Sequence, residues 1–172
     1  MTKLQNMRAI EIPRFRALSS GPQTLESLFG GDNSFSSWTE QHKRLFRRHL
    51  FEPQAFLWHE DRDLNRSVWI LAVEDWVIEA DAASYELMEF PGGMFLVATA
   101  NENDSRDLEE TVSGMMDWIR CSEVFTYGDF PLSGMCNMPN PDGAIDRALG
   151  IAQQQIFLPL KFQEDSHGAH SV

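Results

Sequence analysis

Several features that assign a chain to a functional class are scarce in this sequence. It contains two cysteines, Cys121 and Cys136, whose number and spacing form neither a disulfide framework nor a zinc-binding cysteine pair. Basic residues are also scarce, because 14 Lys and Arg stand against 26 Asp and Glu and give a formal net charge of −12 at pH 7. Nucleic acids are polyanions that proteins bind through Lys and Arg, so this charge argues against direct binding of nucleic acid.

Targeting segments and catalytic motifs are missing too. The N-terminal residues MTKLQNMRAIEIPRF lack the apolar core of a signal peptide, and the apolar run GGMFLVATA is too short to span a membrane. The sequence has no nucleophile elbow, phosphate-binding loop or dinucleotide-binding fingerprint. His42 and His49 lie two helical turns apart, too far to share a metal ion. We therefore expect a soluble cytoplasmic protein with no metal or cofactor and no membrane partner, whose motifs favour binding over catalysis.

Apolar residues, by contrast, are plentiful. Hydrophobic residues make up 42% of the 172 positions and include 12 Phe and 5 Trp, which is enough for a sizeable core. We expect one domain over residues 1–164, built from halves at about 8–76 and 77–162. The polar residues 165–172 are expected to form a flexible tail.

The periodicity of apolar residues predicts the order of the elements in the first half. A strand over residues 8–19 leads through a glycine-rich loop or short helical turn into a helix that begins after Ser34, its predicted N-cap. Apolar and aromatic residues at helical spacing extend this helix to about residue 50. Strands over 54–60 and 67–75 follow. The first half is thus predicted as strand, helix, strand and strand.

The second half repeats this order. An extended stretch over 84–100 bends at Pro91-Gly92-Gly93, and a helix capped by Asp104 or Ser105 follows it. An irregular extended segment, a turn-rich insert or short helical turn, and a closing strand in QQIFLPLK complete the half. Two such modules predict an α+β fold with pseudo-symmetric halves, in which one antiparallel sheet, or two sheets meeting at a pseudo-twofold axis, carries both helices on one face.

The closing strand has two different faces. Ile156, Leu158 and Leu160 point one way and are expected beneath the helices, whereas Gln155 and Phe157 point the other way. Aligning SVWILAV with QQIFLPL at Ile70 and Ile156 places Trp69 beside Gln155 on that second face. We expect this face to line a groove between the halves, because ligand sites favour such junctions.

Three local patterns, in order along the chain, resemble the GyrI-like small-molecule-binding domain. They are the strand that contains Pro91-Gly92-Gly93, the helix that carries Trp118, and the closing strand with its Ile-Phe-Leu-Pro signature. The family includes gyrase-inhibitor-like proteins and the effector-binding domains of AraC- and MerR-type multidrug regulators. The resemblance implies two strand–helix–strand–strand modules with an aromatic-lined ligand groove between them.

In many members of that family, an acidic residue just before the Ile-Phe-Leu-Pro signature faces the ligand and pairs with cationic aromatic compounds. Gln155 stands at that place here, and an uncharged amide favours a neutral ligand. Together, the periodicity and the resemblance yield a set of expected ligand-binding residues: Gln155, Phe157, Trp118, Trp69, Trp58 and Tyr127. For the three tryptophans a place in the core is the alternative, and for Tyr127 a surface position.

We expect a stand-alone effector-binding protein that senses or sequesters a small apolar or aromatic molecule and lacks the DNA-binding domain of the regulators. One alternative is a small-molecule hydrolase that uses the same groove. That activity would require Glu74, Glu79 or Glu89 to reach the groove beside Gln155. A second alternative is a gyrase-inhibitor-like module that sequesters a protein partner, for which a large exposed apolar patch would be the sign.

Overall fold

The computed structural model describes residues 5–47, 55–59, 66–139 and 143–163, with the backbone alone for residues 5 and 55–59. The predicted tail over 165–172 and the predicted helix end at 48–50 lie outside these residues. The described strands are β1 (Gln5–Ile12), β2 (Phe15–Ser19), β3 (Ala55–His59), β4 (Ser67–Ala72), β5 (Glu86–Phe90), β6 (Gly93–Asn101), β7 (Phe125–Tyr127), β8 (Cys136–Asn137) and β9 (Gln153–Phe162). The described α-helices are α1 (Leu25–Phe29), α2 (Phe35–Gln41), α3 (Ser105–Cys121) and α4 (Gly143–Leu149).

All described strands join one antiparallel sheet, in the order β1-β6-β9-β8-β3-β4-β2-β5, and β7 pairs with the end of β9. The short strand β8 links the two halves, because it pairs with β9 on one side and with β3 on the other. The predicted α+β fold class, with its antiparallel sheet, is confirmed.

The two long extended segments predicted at 8–19 and 84–100 are each divided into two strands by a bend. Ile12 pairs with Gly93 and Phe15 with Phe90, so one antiparallel register continues across both bends. β1 and β6 join the side of the sheet that contains β9, whereas β2 and β5 join the side that contains β4. Each bent segment therefore contributes a strand to both sides of the sheet.

Both halves carry their helices on the same face of the sheet. Registered neighbours place Trp69, Leu57, Cys136 and Ile156 in one row across β4, β3, β8 and β9, and directly opposed residues share a face. At the β9 end of this row, Ile156 and Leu160 form a core with Met115 and Ile119 of α3. At the other end, Cys136 forms a core with Phe35 of α2 and with Leu28 of α1. The prediction that Ile156, Leu158 and Leu160 lie beneath a helix is confirmed.

The helix that begins at Phe35 is shorter than its periodicity predicts. Ser34 caps it as expected, but the α-helix ends at Gln41 and a single 3-10 turn, Lys43–Leu45, follows. Leu45 accepts a hydrogen bond from the backbone N–H of Glu74, and Phe46 forms an isolated bridge with Val73. Leu45 and Phe46 therefore pair with the end of β4 and the residues after it, so their backbone groups do not extend the helix.

Candidate functional site

The face of the sheet opposite the helices, called the concave face below, is a single apolar cluster. Its buried members come from both halves and from both bent segments: Ile12, Phe15, Ala17, Val68, Ile70, Ala72, Phe90, Phe95, Val97, Met135 and Phe157. Phe157 of β9 lies 6.3 Å from Phe95 between ring centroids, and Phe15 stacks on Phe90 at 4.6 Å. The face predicted for Phe157 is therefore aromatic-lined, as expected.

A loop covers this face. The segment Gly128–Met135, called the cover segment below, connects β7 to β8. Phe130 packs at 5.0 Å from Phe95 and at 5.5 Å from Phe90, and Leu132 and Met135 contact the same cluster. The protein's own aromatic and apolar side chains therefore pack on the face that was expected to line a ligand groove.

A row of polar side chains continues the concave face beyond Phe157. Gln155 on β9 pairs directly with Thr99 on β6 and with Asn137 on β8. Directly opposed residues share a face, and Gln155 lies two positions from Phe157, so all three side chains belong to the concave face. They are 4% (Thr99), 9% (Gln155) and 7% (Asn137) exposed.

One atom of the polar row is buried without a hydrogen-bond partner. Within the residues that the structure describes, Asn137 Oδ1 is fully buried and has no partner, whereas no polar atom of Gln155 is in this condition. A buried polar atom without a partner costs about 1–3 kcal/mol. Such an atom is uncommon in a folded protein and calls for an explanation.

Trp69 lies on the other face of the sheet, so the placement drawn from the aligned closing strands is wrong. It packs beneath the helices, 4.8 Å from Phe29 and 5.9 Å from Phe35 between ring centroids. The alignment of Ile70 with Ile156 is off by one residue, because Ile70 belongs to the concave cluster and Ile156 to the helix side. A shift of one residue in a strand moves every side chain to the opposite face.

Two other predicted ligand-binding aromatics, Trp118 and Tyr127, lie outside the concave cluster. Trp118 of α3 packs against the helix-side core and stacks on Phe125 at 6.3 Å. Tyr127 ends β7 and is 46% exposed. Trp58 lies on β3 in register with Val68, and its side chain is outside the described part of the structure.

The acidic residues that would support hydrolysis lie elsewhere. Glu89 is exposed and pairs with Arg14 at 2.6 Å, and Glu79 is exposed in a 3-10 turn. Glu74 follows β4, and its backbone N–H donates to Leu45 on the helix side. The polar row contains no charged residue, but the register places two charged residues on the concave face beside the cluster: Arg8, opposite Val97, and Glu86, opposite Ser19.

Sequence reasoning missed Asn137, Thr99 and Phe130. Asn137 stood within a segment rich in Gly and Pro that has no strand periodicity, and β8 contains only two residues. Thr99 had a detectable signal, since β6 alternates its faces as β9 does, but its opposition to Gln155 depends on the register between distant strands. Phe130 acts through a loop, and no local pattern reports which surface a loop covers.

Among the residues with described side chains, no three His, Cys, Asp or Glu side chains cluster closely enough to hold a metal ion. Helices in the described ranges are too short or too polar to cross a bilayer.

Two strand–helix–strand–strand modules within one antiparallel sheet, with both helices on one face, define the GyrI-like fold. The chain has this fold, as its local patterns predicted. No protein-family model and no curated protein sequence matches the chain, so the likeness rests on solved structures.

Three of these structures illustrate the likeness. SAV2435 bound to tetraphenylphosphonium has a TM-score of 0.53 and 13% identity, over 96% of this chain and 100% of that chain. The C-terminal domain of EcmrR has a TM-score of 0.52 and 15% identity, over 92% and 98%. A hydrolase from Listeria innocua has a TM-score of 0.55 and 11% identity, over 91% and 92%. At these identities, the comparisons establish the fold.

Proposed function

We propose that this protein binds a small, neutral, apolar or aromatic molecule on its concave face, between the sheet and the cover segment. The observation that carries the proposal is the polar row. Its two amides, Asn137 and Gln155, end a buried cluster of aromatic and aliphatic side chains, and Asn137 Oδ1 is buried without a hydrogen-bond partner within the described residues. Apolar walls with a few well-placed polar groups are the usual composition of a small-molecule site.

Fold likeness supports the same proposal. SAV2435, which shares the fold over almost the whole chain, binds tetraphenylphosphonium. The polar row carries a neutral glutamine and no carboxylate, so the ligand that we propose carries no positive charge. Binding requires the cover segment to move, and its two end regions contain Gly128 and the left-handed Gly134 at φ +62°. The proposed biological roles are sensing or sequestration of the ligand.

Thermal unfolding with a matched pair of compounds tests the proposal. Triphenylphosphine oxide is neutral, whereas tetraphenylphosphonium is a cation of similar shape. We expect the oxide to raise the melting temperature in a concentration-dependent way, because a ligand that binds only the folded state stabilises it. We expect the cation to raise it less. The proposal fails if neither of these compounds nor a wider set of neutral aromatics stabilises the protein.

A further inference from the structure

Asn137 and Gln155 present two primary amides side by side. They are directly opposed on β8 and β9, and on its other side Gln155 is directly opposed to Thr99 of β6. Neighbouring strands lie about 4.8 Å apart, so one small molecule is wide enough to reach both amides. Both residues are more than nine-tenths buried, and Asn137 Oδ1 has no hydrogen-bond partner within the described residues.

A primary amide carries an acceptor oxygen and an NH₂ donor at adjacent positions in one plane. The group that satisfies it fully has a donor beside an acceptor, as in a lactam, a ureide or a secondary carboxamide in the cis form. A quaternary cation has no N–H or O–H, so it leaves the buried Asn137 Oδ1 without a partner. A carboxylate also lacks a donor and would oppose that oxygen with negative charge.

We infer that the ligand is a planar heteroaromatic amide whose lactam-like edge pairs with Asn137 and Gln155, and whose rings lie against Phe157 and Phe95. This inference rests on the proposed function and specifies its ligand. The ligand's N–H donates to Asn137 Oδ1. Its carbonyl oxygen accepts from the side-chain N–H groups of the pair, with the Thr99 hydroxyl as the third polar group of the row.

Three probes with one ring system test the inference. Quinolin-2(1H)-one has the donor and the acceptor, 1-methylquinolin-2-one has the acceptor alone, and 1-methylquinolinium is a cation with neither. Affinities are measured by calorimetry or by quenching of tryptophan fluorescence. We expect the N–H lactam to bind about tenfold more tightly than its N-methyl analogue, which corresponds to one net hydrogen bond. The quinolinium is expected to bind more weakly than either.

A pair of variants tests whether Asn137 is the residue that causes the preference for the N–H lactam. Asn137→Leu removes the amide at similar volume and is expected to abolish the preference for the N–H lactam without loss of thermal stability, because it deletes an unsatisfied buried group. Gln154→Leu is the matched control, since Gln154 neighbours Gln155 on β9 but points to the opposite face. The control is expected to keep the full preference.

An NMR measurement on the unmutated protein avoids any problem of variant folding. Quinolin-2(1H)-one should shift the side-chain NH₂ signals of Asn137 and Gln155, and the N-methyl analogue should shift them less. Equal affinities for the two quinolinones, or an unchanged preference in Asn137→Leu, overturn the inference and leave the proposed function standing. If neutral aromatics of every kind fail to bind, the proposed function and this inference fall together.

Discussion

At position 155, the concave face carries an uncharged amide among aromatic and aliphatic side chains. Gln155 is 9% exposed. A carboxylate at this place would meet little solvent, so it would attract a bound cation strongly in the low local dielectric. The residue type at this position is therefore expected to set the charge of the preferred ligand.

Gln155→Glu should reverse the charge preference. We expect tetraphenylphosphonium to stabilise this variant more than it stabilises the unmutated protein, and to do so above the pKa of the new carboxyl group. The free variant should lose about 1–3 kcal/mol of stability, because a buried charge is desolvated. Thermal shift and urea unfolding measure the two effects. Gln154→Glu, on the other face, is the control, and an equal gain in that variant would contradict the assignment.

Tyr85 gives a prediction on pH dependence. It packs edge-on at 4.7 Å from Phe35 and at 4.8 Å from Trp38, and burial raises its pKa above the usual value near 10. The folded state therefore holds the proton more tightly than the unfolded state does. The resulting stability is fully present below about pH 10 and is lost as the pH rises through the folded pKa.

The sequence has two tyrosines, so single variants separate their titrations. In Tyr127→Phe, the ultraviolet absorption of tyrosinate should report Tyr85 alone and should rise above pH 10, later than in a model peptide. In Tyr85→Phe, urea unfolding should show a smaller loss of stability between neutral and high pH than the unmutated protein does. A Tyr85 pKa at the ordinary tyrosine value of about 10 would contradict the predicted effect of burial.

Among the elements, the two bent segments approach each other closely at Gly92. Its φ is +74°, and a Cβ there would lie 2.7 Å from the backbone nitrogen of Arg14 and 2.8 Å from the carbonyl oxygen of Ile12. These are backbone atoms of the opposite bend, so they cannot move aside as a flexible side chain would. The close approach explains why a Pro-Gly pair interrupts the second bent segment.

Gly92→Ala should destabilise the protein strongly. The left-handed backbone costs about 1–2 kcal/mol for any L-residue, and overpacking at the crossing adds about 1–3 kcal/mol. Gly21→Ala is the control, because Gly21 has a similar φ of +67° but no atom within 4 Å of the added Cβ. Urea unfolding should show that Gly21→Ala loses only the stability that the left-handed backbone costs, about 1–2 kcal/mol. Equal losses in the two variants would mean that the crossing imposes no steric limit.

At the scale of the whole molecule, the cover segment decides whether the concave face is accessible. Phe130 fills the space over Phe90 and Phe95, and the cluster beneath it extends through both halves of the sheet. Phe130 is thus the side chain that a ligand has to displace, or to pack beside, when it enters.

Phe130→Ala should loosen this cover. We expect about 2–4 kcal/mol lower stability, increased fluorescence of a hydrophobic dye, and faster association of any neutral aromatic ligand, because less packing has to be broken before entry. Phe162→Ala is the control, since Phe162 is 62% exposed and packs against Phe125 at the β7 edge. Dye binding that is the same in both variants would contradict a covering role for Phe130.

The sequence predicted well those features that depend on local periodicity. The alternation of β9 assigned Gln155 and Phe157 to one face and Ile156, Leu158 and Leu160 to the other, and the structure confirms both faces. The helix α3 and its cap at Asp104 follow from the acidic first turn and the apolar stripe. In each case, the property depends on residues only a few positions apart, so a short stretch of sequence contains it.

Tertiary structure alone decided which distant residues meet. The register between β8 and β9 brings Asn137 to Gln155, and a loop brings Phe130 over Phe95. The face of Trp69 also depends on a register, and an alignment one residue off reversed it. Local periodicity fixes the alternation along a strand, but only long-range pairing and packing select the partner strand and the cover, because their free energies come from residues far apart in the chain.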